Sequence, residues 1–101
     1  IGGFDPFAPV LHVKLNATPN PAQFQATVNY AVPMGGQISI SFYDQSGRLV
    51  RTLFSGKAKA GVNSLVWNLK DNNGQLVSKG VYFCKLVGGN STSTVRLARV
   101  R

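Results

Sequence analysis

An all-β sandwich of about seven antiparallel strands is the fold class this sequence predicts. Three observations predict it. Apolar residues recur with a period of two in several short segments, turn-forming residues separate those segments, and no window sustains helical spacing. The composition agrees: the 101 residues include no Glu, which helices favour, while Thr, Ser, Asn and Val are abundant. Hydrophobic content of 44% with 14% charged residues marks a globular chain. Its length fits one domain, large enough to bury roughly two-thirds of its unfolded surface.

The elements follow in order. Ile1 to Pro9 mixes Gly, Pro and bulky residues without a period, and Asp5-Pro6 and Ala8-Pro9 bias the backbone to extended geometry. Residues 1–17 are expected to be a linker or edge segment, with a first strand over Val10 to Leu15. The sandwich domain is expected over 18–101. Thr18-Pro19-Asn20-Pro21 forms a rigid corner. Val28, Tyr30 and Val32 then share one face, and Pro33-Met34-Gly35-Gly36 turns the chain. Ile38, Ile40 and Phe42 point inward, with Ser39, Ser41 and Tyr43 outward. Arg48 to Phe54 pairs back. Val62 to Leu69 is the next strand, with Leu65, Trp67 and Leu69 on one face, and Gly80 to Val87 and Thr92 to Val100 complete the set. The core is expected to hold Val28, Tyr30, Ile38, Ile40, Phe42, Leu65, Trp67, Leu69 and Leu86.

Two turns repeat one chemistry. Asp44-Gln45-Ser46-Gly47 and Asp71-Asn72-Asn73-Gly74 both read Asp-x-x-Gly, each followed by x-Leu-Val. The Asp carboxylate accepts a backbone N–H two residues on, and the Gly supplies the positive φ of a type I turn with a bulge. Half of a calcium loop looks similar, but the downstream Glu and the further carboxylates that calcium needs are missing.

Eleven Lys and Arg against three Asp give a formal charge of +8. Nucleic acid, anionic glycan and anionic headgroups are all compatible with that sign. Aromatics interleaved with the basic residues, as base stacking needs, are not evident, so nucleic acid is not expected. There is no apolar run of membrane-spanning length, so insertion into a membrane is not expected. Arg48 and Arg51 leave opposite faces of a regular strand, whereas Arg99 and Arg101 share one, expected to be exposed. The chain begins at Ile1 without an initiator Met and reads as part of something longer.

No catalytic constellation assembles. His12 is the sole histidine, and of three carboxylates two sit in turns. Neither a nucleophile elbow nor a phosphate loop is present, and cofactors are not expected. The single Cys84 rules out an internal disulfide and a cysteine zinc site, and its apolar strand makes it a small buried hydrophobe. Trp67 would suit sugar stacking if exposed, but its face is shared with Leu65 and Leu69, which assigns it to the core. Tyr82 and Phe83 are adjacent, so one of them points outward.

From about Pro19 onward the order of motifs is distinctive: Asn20-Pro21, Tyr30 to Pro33, Phe42-Tyr43-Asp44 with Gly47-Arg48, Leu53 with Gly56, Ala60-Gly61, Trp67-Asn68, Asp71 with Gly74, and Gly80-Val81-Tyr82. In this the chain resembles two related families. One is the immunoglobulin-like domain of the flagellar hook-capping protein; the other is the C-terminal sorting domain carried by type IX secretion cargo. Both imply a non-catalytic Ig-like β-sandwich with Tyr82 inside. The second implies a secreted or surface location reached through the periplasm, on a parent protein such as a protease. It further implies recognition by an outer-membrane translocon, with a sortase-like protease and anionic lipopolysaccharide as further partners beside the upstream domain. The recognition residues it points to are Gly80, Val81, Tyr82, Arg96, Arg99 and Arg101. Sorting domains often carry Lys where this chain has Arg96 and Arg101, which keeps the charge but changes the donor geometry. The long Arg51 to Trp67 segment leans toward the flagellar type, whose modules also serve as accessory domains of secreted hydrolases.

Overall fold

Alternation of apolar and polar residues builds two antiparallel sheets in the computed structural model, which describes residues 14–18, 22, 24–32, 35–88 and 91–100. The strands are β1 (Lys14–Thr18), β2 (Ala26–Val32), β3 (Gly36–Tyr43), β4 (Leu49–Ala58), β5 (Gly61–Trp67), β6 (Gly80–Gly88) and β7 (Ser91–Arg99). One sheet has the order β1-β2-β5 and the other β4-β3-β6-β7. This is an immunoglobulin-like sandwich in which β4 joins the sheet of β3, not that of β5 as in the constant-type arrangement.

The inner faces read directly from the alternation. β2 runs buried, half-buried, buried along its whole length, and β6 does so from Tyr82 to Leu86. Val28, Tyr30, Ile38, Ile40, Phe42, Trp67, Leu69 and Leu86 are buried as the sequence predicts, and Leu65 is half-buried against them. Ala17, Ala22, Ala26, Val32, Val77, Tyr82, Cys84 and Leu97 complete the core. Ser41, expected outward, is buried. It is a small side chain on a central strand, in register with Thr52 on one side and Lys85 on the other.

Four expectations about strands change. The first strand runs Lys14–Thr18, paired with β2, where Val10 to Leu15 was expected; residues 10–13 lie outside the described residues. β4 continues to Ala58 and carries two register shifts against β3, so ten residues face eight. β5 stops at Trp67, two residues short. Leu69 still reaches the core, but through a left-handed backbone at φ 63°. That conformation costs a leucine about 1–2 kcal/mol. Full burial of its side chain offsets this with roughly 1.5–3 kcal/mol, so packing decides the local backbone. Finally, β7 begins one residue earlier than expected, at Ser91, and ends at Arg99.

The two sides of the sandwich differ. On one, β1 packs against β7. Ala22 seals this side, donating its N–H to Ala98 O at 2.7 Å and accepting from Val100 N at 2.9 Å. On the other side β4 and β5 are edge strands.

Trp67 is the largest fully buried side chain, stacked on Phe42 at 3.9 Å and edge-on to Tyr82 at 5.9 Å. Trp67→Ala is expected to cost about 3–5 kcal/mol in urea unfolding, a large share of a domain's stability; a variant as stable as the parent would overturn this packing. Burial pushes the Cys84 thiol up to about 12. Thiol reagents should therefore label the native protein only at the rate at which it opens, so labelling should speed up in step with added denaturant.

Candidate functional site

Of the expected recognition residues, Gly80, Val81, Tyr82, Arg96 and Arg99 meet at one end of the β6–β7 ladder. Register places Gly80 opposite Arg99, Val81 opposite Ala98, Tyr82 opposite Leu97 and Phe83 opposite Arg96. Gly80 opens β6 at φ 147°, a backbone that favours glycine. Tyr82 is buried, and its hydroxyl donates to Ser78 O at 2.6 Å. A tyrosine at the start of the sixth strand bonding to the preceding corner is a recurrent brace of immunoglobulin-like sandwiches. Burial raises the Tyr82 pKa, with Arg99 opposing and Asp44 reinforcing the shift.

The arginines separate. Arg99 was expected on an exposed face with Arg101. Instead it is half-buried: it follows Leu97 on the inward face, and its guanidinium donates to Val77 O at 2.9 Å. Its Nε is buried without a hydrogen-bond partner among the described residues. Arg96 is exposed and leaves the opposite face. Arg101 lies outside the described residues.

Folding also creates a row that spacing along the chain does not show. Tyr43 is in register with Phe83, and Phe83 with Arg96, so two half-buried aromatics and a cation lie side by side across three strands. Lys85 sits 6.0 Å over the Tyr43 ring. Phe83 is thus the outward member of the Tyr82–Phe83 pair. Only the strand order places these residues together, so a linear search for interleaved aromatics and cations misses them.

At the same end, a groove of about 680 Å³ runs between the two Asp-x-x-Gly turns and the start of β6. Both turns close as the sequence predicts. Asp44 Oδ1 accepts the N–H of Ser46 and of Arg48, each at 2.9 Å, and Asp71 Oδ1 accepts those of Asn73 and Gln75 at the same distance. Gly47 and Gly74 have φ of 86° and 81°. Each carboxylate thus serves its own turn, and among the described residues no group of three potential ligands gathers for a metal. Leu49 and Leu76, equivalent positions of the repeat, are exposed and line the groove.

Fold and site together define a β-sandwich module that presents strand faces and turns, with no catalytic group assembled among the described residues. The sequence model of the FlgD Ig-like domain family matches residues 16–92, and the chain belongs to that family. It is 33% identical over 54 residues to the basal-body rod modification protein FlgD of Salmonella typhimurium, and the same holds for Salmonella typhi. Those matches cover 54% of this chain and 23% of the relative, so the chain spans well under half of the curated relatives' length. Among solved structures, dimeric latent PorU from Porphyromonas gingivalis superimposes with a TM-score of 0.72 at 21% identity, over 96% of this chain and 10% of PorU. PorZ, described as an essential surface component of the type IX secretion system of the same bacterium, gives 0.61 at 23% identity, over 86% of this chain and 11% of its own. FlgD from P. aeruginosa gives 0.58 at 20% identity, over 90% and 74%. These likenesses establish a shared fold.

The Asp44 carboxyl is held below the usual carboxylate range, first by the Arg48 backbone N–H. Desolvation opposes that shift, while the Arg48 side chain at 3.0 Å and the Ser46 N–H reinforce it. A carboxyl with a lowered folded pKa contributes stability that is present above its unfolded pKa and lost as pH falls through the folded one. The stability gap between the parent and Asp44→Asn should therefore narrow on acidification between about pH 5 and pH 2. A gap independent of pH in urea melts would refute this reading.

Proposed function

We propose that the domain is a non-catalytic C-terminal module of a larger secreted bacterial protein, and that it acts as a type IX secretion sorting and surface-anchoring signal. The observation that carries this reading is the β6–β7 ladder. It supports the edge strand β7 with Arg96 projecting from the sheet beside Phe83 and Tyr43. An outer-membrane translocon would read that face through charge-assisted contacts from Arg96, with Arg101 as a further recognition residue. Gly80, Val81 and Tyr82 would hold the neighbouring strand in place. Arg99 would contribute by fixing the end of β7 against Val77. The description of PorZ as a surface component of that system favours the same reading, as does the chain's charge of +8 for an anionic lipopolysaccharide anchor. Passage through the periplasm, a sortase-like protease and a parent hydrolase such as a protease belong to this proposal. So does the division into residues 1–17, a linker or edge segment that supplies the first strand, and an 18–101 sorting-type domain.

A second reading has its own support. The family match and the curated FlgD relatives favour a structural Ig-like module, of a flagellar hook cap or as an accessory domain of a secreted hydrolase.

Residues 1–101 fused behind a reporter and expressed in a type IX-competent host separate the two. Deleting residues 98–101 is a poor test, because Ala98 and Val100 bond Ala22 and Arg99 bonds Val77. The sharper variant is Arg96→Gln with Arg101→Gln. Its urea midpoint should correspond to a stability change within about 0.5 kcal/mol per substitution, while the reporter stays in the periplasm. Normal surface delivery of this variant would exclude the sorting role and favour the structural module. Arg99→Gln, by contrast, should cost about 1.5–3 kcal/mol through the lost charged hydrogen bond.

A further inference from the structure

The open side of the sandwich carries an unfinished strand ladder. β4 is the edge of the four-stranded sheet, and the β5–β6 connection already caps its first half. Asn72 donates its N–H to Val50 O at 3.0 Å, and Asn72 Oδ1 accepts the Thr52 N–H at 3.1 Å, as a neighbouring strand would. Arg51 clamps the same connection, donating to Asp71 O at 3.3 Å. The cap ends there.

Beyond Thr52 the direction of the peptide groups follows from register. The Thr52 N–H points away from β3, and Thr52 pairs with Ser41. Phe54 pairs with Ile40, Ser55 with Ser39 and Lys57 with Gln37. Peptide groups alternate in direction along an antiparallel strand, so Phe54 bonds inward while Ser55 and Lys57 present N–H and C=O outward. Among the described residues, neither has a hydrogen-bond partner on that side. Leu53 and Phe54 of β4 and Leu65 of β5 are half-buried along this side, and Val62 and Val66 are exposed on β5.

Past the cap, the charge along β4 and β5 is one-signed: from Leu53 to Lys70 the chain carries Lys57, Lys59 and Lys70, and no carboxylate. Lysines on an edge strand ordinarily repel stray pairing. They repel it by charge, however, and the same lysines attract a strand of opposite sign.

We propose that the outer edge of β4 over residues 53–58 is a docking site for an acidic, extended segment of a partner protein, which adds to the sheet as a further strand. Its backbone completes the ladder at Ser55 and Lys57. Its alternate apolar side chains cover Leu53 and Phe54, and its carboxylates meet Lys57 and Lys59. The site lies on β4, apart from the β6–β7 face, and does not depend on the sorting role.

The probe is a synthetic twelve-residue peptide alternating Val or Thr with Asp or Glu, titrated into the ¹⁵N-labelled domain. Saturable one-to-one binding is expected, with the Ser55 and Lys57 amide protons becoming protected from exchange. Ser55→Pro removes the outward N–H without touching the β3 ladder and should abolish binding. Lys57→Glu with Lys59→Glu should weaken it by at least about tenfold, and its folding is checked by the unchanged amide spectrum of β2 and β6. Failure to bind the peptide would overturn the proposal. Equal binding of a peptide of the same charge interrupted by proline would reduce the edge to a charged surface and overturn it too. So would equivalent binding of heparin or duplex DNA that Ser55→Pro leaves intact. Concentration-dependent dimers of the domain that Ser55→Pro dissolves would assign the edge to a second copy instead.

Discussion

Much of the fold hangs on the indole of Trp67. Its ring lies flat on Phe42 at 3.9 Å and meets Tyr82 edge-on, so one side chain of the three-stranded sheet joins two strands of the other. Its N–H has to be satisfied inside the protein, and it donates to Lys70 O at 2.9 Å. A carbonyl three residues on can reach back only if the chain turns sharply after β5. The turn is made at Leu69, whose left-handed backbone is held by the burial of its own side chain. Asn68 Oδ1 supports it by accepting the Lys70 N–H at 3.1 Å. Satisfying one buried donor therefore fixes where β5 ends and in which direction the next segment leaves.

That direction decides what the second Asp-x-x-Gly turn does. The two turns share their internal bonds almost atom for atom, because Asp and Gly occupy the same positions in both. They differ in what the neighbouring residues add. After the first turn Arg48 reaches back to Asp44 Oδ2, an exposed ion pair that braces the turn against itself. In the second, Gln75 takes the equivalent position, and Asn72 and Arg51 tie the turn to β4. One piece of local chemistry serves as a hairpin end in one place and as an edge cap in the other. Tertiary placement, set from Trp67, makes the difference.

This division explains what could be read in the sequence. Both Asp turns, the positive φ of Gly47 and Gly74, and the inward faces of β2, β3 and β6 depend on residues close together in the chain, and they were legible. The end of β5 was not, because alternation continues through Leu65, Trp67 and Leu69 although the backbone does not. The burial of Ser41 and the length of β4 escaped for a related reason, since bulges and neighbouring strands leave no local mark. At the candidate site, the pairing of Gly80 to Tyr82 with Arg96 to Arg99 is a matter of strand order, as is the Tyr43–Phe83–Arg96 row. Such placement appears only once the sheet is assembled.

The β7 strand shows how fold and recognition compete for the same residues. Arg99 stands where the inner face of the sheet runs out, and its guanidinium closes the end of the core by bonding Val77 O. Val77 also donates to Leu69 O at 2.8 Å, so Arg99 is linked to the segment that Trp67 positions. A charge held there is partly desolvated and gives a donor to the protein itself, leaving less of it for a partner. Arg96 leaves the other face of the strand, where it is exposed and stands beside Phe83. A long cation next to an aromatic can present both an apolar surface and a charge with little loss of hydration. Any partner that reads this strand by its charge would therefore meet the outer face of the sheet first, with Arg99 holding that face in position from behind.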